Sequence, residues 1–501
     1  GLNMTDKELI DGDYEDIIAH ELFHHWFGNL VTCESWSHIT LNESFATYGE
    51  YLWFEYKYGQ TKAEELMLRN KKSYIEESKH SQYSLVRHEY QNKDDVFDVH
   101  SYEKGALILH YLRSYTGDEL FFKAVRKYLK LNQYRSVETD QLRLVFEEVT
   151  GEDLNWFFDQ WFYSQGHPII EWDYELKGNQ AYVNLNQKTS SSDVPVFNLP
   201  IDIEVYCKDT SYVKNLWINS ADTIYEINEN QNIEYINVDP LKVIPGVIKE
   251  KVENKNLIKH FKYLKSIYDK LNYLEAADGI KGDNAIINYK ALSENSKLLK
   301  LKGLSYFLNS NNELNQQETE KVKQLLQEKE ASQVRLNAAK VLLKAYGDEK
   351  SDFIYKLSRD SSILISCWAL IELAKHDTLQ ALKIAREMQN SIVLKEVFCA
   401  SEVFSKFGMA EDVVFYERAL SNHSSWKRIK IMGDMLDYIL VTKDRSVLDR
   451  LLEKVTALKW NNNSIYKSYI LPSLKETLKN KYKKWYRGEE YSKRIAGLDS
   501  L

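Results

Sequence analysis

The sequence predicts a multidomain, mainly α-helical protein with one small β domain between two helical regions. Three observations predict it. At 501 residues the chain exceeds what one hydrophobic core supports, so it divides into several domains. Five of its six prolines, Pro168, Pro195, Pro200, Pro240 and Pro245, fall between residues 168 and 245, among segments that alternate with a period of two. On both sides, apolar residues recur at helical spacing and short Gly, Asn or Ser breaks interrupt them.

Residues 1–166 read as helices joined by short loops. DYEDIIAHELFHHWF, LNESFATYGEYLWFEYKY and SYEKGALILHYLRSY are each closed by a glycine, Gly28, Gly59 and, after Thr116, Gly117, the residue that most readily ends a helix. Residues 167–250 carry IIEWDYEL, AYVNLNQ, IDIEVYC and KNLWINS, with turn residues at Lys177-Gly178-Asn179. This predicts a small antiparallel β-sandwich of seven or eight short strands. Residues 251–501 contain only Pro472, and amphipathic segments such as SVLDRLLEKVTALKW follow one another, as in a HEAT-like α-solenoid, although no strict period is present. Such a domain supplies a cover or a binding surface rather than chemistry.

Composition excludes several functions. The net charge of -8, from 66 basic and 74 acidic residues, argues against a nucleic-acid partner. The 34 tyrosines and 11 tryptophans invite a stacking role, but core packing accounts for most such residues. Cys33, Cys207, Cys367 and Cys399 show no CxxC spacing and read as buried thiols rather than a disulfide framework or a cysteine metal site. No run is long enough for a membrane span, and the most apolar segment, Ile363 to Ala374, is cut by Ser366 and Glu372. The opening GLNMTDKELIDGDYED is polar and acidic, unlike a signal peptide, which leaves the compartment unknown with a cytoplasmic one slightly favoured over a periplasmic or secreted one. Oligomeric state is not legible.

The chemistry concentrates in HELFHHWFGN, His20 to Asn29. On a helix, residues four apart differ by about 40° in azimuth and about 6 Å in height, so His20 and His24 can reach one metal ion. Glu21 then borders an open coordination position, where it can move a proton between water and a leaving amine. His25 lies off that face and reads as a packing or surface residue. A third ligand must come from another element, and Glu43, separated from His24 by 18 residues, is the candidate. Thr40 reads as the N-cap of that second helix. A rival reading stands beside it: Thr40-Leu-Asn-Glu43 also fits a capping box, in which Glu43 only caps its own helix. Glu50, two turns further on the same face, reads either as a carboxylate that orients a ligand imidazole or as an exposed one.

HELFHHWFGNLVT followed by LNESFA resembles the gluzincin aminopeptidases of the aminopeptidase N and leukotriene hydrolase family, whose pattern is HExxH-x18-E. The resemblance implies a thermolysin-like catalytic portion, one zinc ion per chain held by His20, His24 and Glu43, and Glu21 as the catalytic base. Ser101-Tyr102-Glu103-Lys104-Gly105-Ala106 matches the family's Y-x-K-G-A stretch, which implies that the Tyr102 hydroxyl stabilises the transition state. Taken alone, Tyr102 would be an aromatic packing at a helix start. The later segments GDELFFKAVRKYL and DLNWFFDQWFYSQGHPII and the β and helical regions resemble the family layout as well.

The implied activity is removal of N-terminal residues from peptide substrates. One departure bears on it: the family's G-x-M-E-N motif, whose glutamate helps bind the substrate's free amino group, is found nowhere in this sequence, nor is the family's N-terminal β domain. Gly1 therefore reads as the start of a fragment that cuts into the catalytic domain, which leaves the exopeptidase specificity in question. Two alternatives follow: a non-catalytic peptide- or protein-binding scaffold with a structural zinc or, within enzymes, an endopeptidase or epoxide hydrolase.

Overall fold

A computed structural model describes residues 10–11 and 14–457, apart from short stretches at 209, 252–256, 279–282, 311–312, 328, 347–349, 423–424 and 443, and beyond 457 chiefly the helix Gly488–Asp499. The protein is mostly helical with small sheets. It forms two compact units, one of residues 13–312 and the other of residues 1–12 with 313–501.

In the first unit, helix α1 (Glu15–Phe23) leads to strand β1 (Val31–Cys33), a 3-10 turn (Trp36–His38), and helices α2 (Thr40–Tyr58) and α3 (Gln60–Glu77). A turn of π-helix (His100–Lys104) then runs into α4 (Gly105–Thr116), followed by α5 (Asp118–Asn132), β2 (Arg135–Val137), α6 (Thr139–Thr150) and α7 (Asn155–Trp161). Helices α2 and α4 end as expected at Gly59 and Gly117, whose φ of +84° and +77° lie where a side chain is strained. Helix α1 does not reach Phe27. After Phe23 the chain turns, Gly28 adopts a φ of +147°, and Phe27 stacks on Phe45 at 4.1 Å in the core. Burial of that ring draws the segment out of the helix. The parallel pairing of β1 with β2, not expected from the sequence, pins the loop between α1 and α2.

Strands β3 (Pro168–Lys177), β4 (Gln180–Thr189), β5 (Leu199–Cys207), β6 (Ser211–Ile218), β7 (Asp222–Asn228), β8 (Ile233–Val238) and β9 (Val247–Glu250) form one sheet of order β7-β4-β3-β9 and another of order β6-β5-β8. All pairings are antiparallel except that of β3 with β9. Their inward residues, among them Ile170, Val183, Ile203 and Ile236, share one core with α2, α4 and α6. Four further helices, Leu257–Phe261, Ile267–Ala276, Asp283–Ala291 and Lys297–Asn309, complete the unit.

The second unit is helical throughout its described residues, from Gln316–Gln324 to Arg445–Ala457, around a core that includes Leu370, Leu382, Phe404, Tyr416 and Tyr438. No described helix is long and apolar enough to cross a membrane. The four thiols are free, and three of them are buried; Cys367 departs from the expectation by being partly exposed on the helix Ile363–His376.

Candidate metal centre

The site is built where α1 crosses α2. Gly49 makes the approach possible: a Cβ there would lie 2.2 Å from Cγ of Phe23, so only a glycine lets the Phe23 ring sit against α2. That contact brings the C-terminal half of α1 over the first three turns of α2, from Glu43 to Glu50. His24 is the C-cap of α1 with φ -60° and ψ -18°, still helical, so the spacing of His20 and His24 survives the early end of the helix.

Glu43 is not engaged in a capping box, and Thr40 is not the N-cap. The chain enters α2 directly from the 3-10 turn, with Ile39 at the N-cap in helical conformation and no side-chain cap. The early amides are already bonded to turn carbonyls, as in Asn42 N to Ile39 O at 2.9 Å and Glu43 N to Ile39 O at 3.0 Å. The Glu43 side chain is thus free to turn toward α1, where its Oε2 lies 3.4 Å from Nε2 of both His20 and His24. The two Nε2 atoms are 3.1 Å apart.

Hydrogen bonds on the far side of each ring fix what those nitrogens present. His24 Nδ1 is 3.1 Å from the Phe27 carbonyl, and His20 Nδ1 is 3.0 Å from Glu50 Oε1. A carbonyl and a carboxylate only accept, so both Nδ1 atoms carry the proton and the neutral rings turn bare Nε2 lone pairs inward. Three lone-pair atoms then face one another, and Glu43 Oε2 has no hydrogen-bond partner although it is buried. This donor set suits a cation. Four-coordinate zinc with bonds of about 2.0–2.1 Å sets its donors roughly 3.3–3.4 Å apart, close to the spacing seen here. Among the described residues, His20, His24 and Glu43 are the group of histidine, cysteine and acidic side chains close enough to hold one ion.

The electrostatics agree. Burial opposes the charged form of His20, but the Glu43 and Glu50 carboxylates outweigh it and raise its pKa to about 9, so without another cation a proton occupies the inward Nε2, the position a metal ion would take. Burial likewise raises Glu43, and the two imidazoles bring it down to about 2. Positive charge at the centre of the triad is what these groups stabilise. His20 and His24 side chains are 12% and 25% exposed, so solvent reaches the centre from the α1 side.

Tyr102 joins the three. Its ring stacks on His20 with centroids 5.8 Å apart and planes 7° from parallel, and its hydroxyl stays protonated because of burial and the neighbouring Glu43 carboxylate. The Glu21 charge adds to the same effect, and Glu21 itself is exposed on α1. His25 is exposed beyond the end of the helix. Glu50, open to two readings from the sequence, is 9% exposed and holds His20, with Arg69 behind it at 3.6 Å. The Phe27 carbonyl that holds His24 carried no signal in the sequence, because it depends on where α1 ends.

Residues 5–161, which contain all of these groups, match the model of the peptidase family M1 domain. Over these residues the chain is similar to the peptidase family M1 domain, in agreement with the gluzincin resemblance of the HExxH-x18-E stretch. Aminopeptidase M1-D of Oryza sativa subsp. japonica is 36% identical over 199 residues, covering 37% of this chain and 22% of that protein. Aminopeptidase M1-C of the same plant is 34% identical over 191 residues, again covering 37% of this chain and 22% of the relative. The match therefore spans 22% of the length of each of these relatives. Among solved structures, aminopeptidase A of Legionella pneumophila in complex with aspartic acid superposes with a TM-score of 0.56 over 97% of this chain and 66% of that chain, at 14% identity. That likeness is one of fold.

Proposed function

We propose that this chain is part of a zinc-dependent aminopeptidase that hydrolyses the N-terminal residue from peptides. The observation that carries the reading is the convergence of two bare imidazole nitrogens and one unpartnered carboxylate oxygen within 3.4 Å of one another. His20, His24 and Glu43 would hold one zinc ion. Bound zinc supplies Lewis-acid chemistry, raising the acidity of water and polarising a carbonyl.

The chain's own residues do the rest. The exposed Glu21 carboxylate takes the proton of the attacking water and passes it to the leaving amine, so that no free strong base or strong acid is needed. The Tyr102 hydroxyl, protonated throughout the neutral range, donates to the oxyanion as it develops. The Glu50 carboxylate and the Phe27 carbonyl hold the ligand rings in the tautomer that leaves Nε2 free.

In the same reading, residues 1–166 form the thermolysin-like catalytic portion, 167–250 a β-sandwich and 251–501 a HEAT-like helical domain that covers or binds. Selectivity for a free N-terminus is the finer part of the proposal. Metal analysis is expected to find one zinc per chain, and Glu21→Gln should keep that zinc while turnover falls by roughly three orders of magnitude or more. Comparison of amino-acid arylamides with N-blocked peptides tests the exopeptidase part. Cleavage of blocked peptides alone would replace it with an endopeptidase reading, and retained turnover in Glu21→Gln would remove Glu21 as the base.

A further inference from the structure

Tyr102 stands in one turn of π-helix, His100–Lys104, marked by a hydrogen bond from Lys104 N back to Val99 O at 3.0 Å. Such a turn is rarer than an α-helical one and persists where its surroundings hold it. Here it is gripped from two sides.

On the α2 side, Ser44, the residue after Glu43, donates its hydroxyl to the Ser101 carbonyl at 2.7 Å. Gly105 lies against the same serine so closely that a Cβ would sit 1.7 Å from Ser44 Oγ. On the opposite side, Asp98 Oδ1 accepts from the amides of His100 at 3.0 Å and Ser101 at 3.1 Å, capping the start of the turn. Arg87 grips that carboxylate with both terminal nitrogens, Nη1 to Oδ2 at 2.7 Å and Nη2 to Oδ1 at 2.8 Å. The same guanidinium donates to Ser101 Oγ at 2.9 Å and to the Asp95 and Val96 carbonyls at 3.2 and 3.3 Å. Arg87 is only 9% exposed, so these bonds are shielded from solvent.

We propose that Arg87 and Asp98 are a positioning pair that fixes the turn bearing Tyr102 and thereby sets its hydroxyl against Glu43 and the metal centre. The proposal rests on the role assigned to Tyr102 above. Neither residue touches the centre; both act through the backbone of residues 98–104. An arginine is required because a planar fork can hold one carboxylate by two parallel bonds and reach Ser101 as well, which an ammonium cannot do.

The test is a double-mutant cycle on the zinc-loaded protein. Arg87→Gln and Asp98→Asn should each lower kcat by about 100-fold, the loss expected when a transition-state donor is displaced by about 1 Å, with KM changed by less than about 3-fold. Zinc per chain should be unchanged, and amide hydrogen exchange across residues 99–105 should quicken. Arg87→Gln combined with Tyr102→Phe should cost no more than Tyr102→Phe alone, because both remove the same donor. If Arg87→Gln does not fold, Arg87→Lys and Asp98→Asn serve in the same cycle. Additive losses in the cycle, or full kcat in a folded Arg87 or Asp98 variant, would overturn the pair. Undiminished turnover in Tyr102→Phe would instead remove the role on which the pair depends, while leaving the zinc and Glu21 results to stand by themselves.

Discussion

Two of the polar clusters buried within residues 13–312 are built on opposite terms. At Lys242 donors and acceptors balance: its three N–H groups serve Asn237 Oδ1 and the Val238 and Asp239 carbonyls at 3.2, 2.7 and 2.8 Å, and its charge pairs with the Asp269 carboxylate at 2.9 Å. At His20, His24 and Glu43 the inward atoms are all acceptors, and one of them has no partner. The first cluster is complete as a piece of protein, joining a loop of the β domain to the helix Ile267–Ala276. The second would be completed by the cation proposed above. Burial alone does not separate a structural cluster from a functional one. The balance of donors against acceptors does.

Substitutions can break that contrast, and the largest effect is expected at the metal centre. His24→Ala or Glu43→Gln should abolish stoichiometric zinc and lower activity by several orders of magnitude, while leaving circular dichroism close to native. Normal zinc content in either variant would mean that the triad is not the metal site. At the other cluster, Lys242→Met should cost about 3–5 kcal/mol in a denaturant titration, because Asp269 is left buried and uncompensated, and zinc per chain should not change. The double substitution Lys242→Met/Asp269→Leu should recover most of that stability, as replacing both partners by apolar groups often does.

A smaller effect sharpens the role of Glu50. Glu50→Gln accepts a hydrogen bond less strongly from His20 and should weaken zinc roughly 10–100-fold, measured by competition with a chelator. Unchanged affinity would make Glu50 a mere packing group. The smallest effect is a pH dependence at Glu250, which neighbours the Lys242 cluster. Burial pushes its carboxyl up to about 7 against the opposing hydrogen bond from Tyr273. An acid whose folded pKa lies above its unfolded value disfavours the fold once it ionises, a penalty absent below the unfolded pKa and complete above about pH 7. Glu250→Gln should therefore gain stability relative to native as pH rises from 5 to 8, by on the order of 1 kcal/mol. A pH-independent difference would show that Glu250 is not held in its neutral form.

Much of the site was legible because it depends on local periodicity. His20, Glu21 and His24 take their relation from one helix, and the turn geometry that relates them is the same whatever surrounds it. Glu43 was ambiguous because Thr40-Leu-Asn-Glu43 supports both a cap and a ligand, and nothing within four residues distinguishes them. The decision came from the 3-10 turn, which bonds the first amides of α2 and leaves the Glu43 side chain unclaimed. Arg87 and Asp98 were not legible at all, since their only signal is a fork meeting a carboxylate across eleven residues of irregular chain.

The sequence by itself determined the helical character of both flanking regions, the place of the strands and the mutual spacing of His20, Glu21 and His24, all of which follow from periodicity and propensity. Only the tertiary structure decided that α1 stops at Phe23, that Glu50 is buried against His20, that β9 runs parallel to β3 and that a π-turn carries Tyr102. Each of these depends on a close approach between segments distant in sequence, such as Phe23 over Gly49 or Ser44 against Gly105. Such approaches are set by packing, which periodicity does not encode.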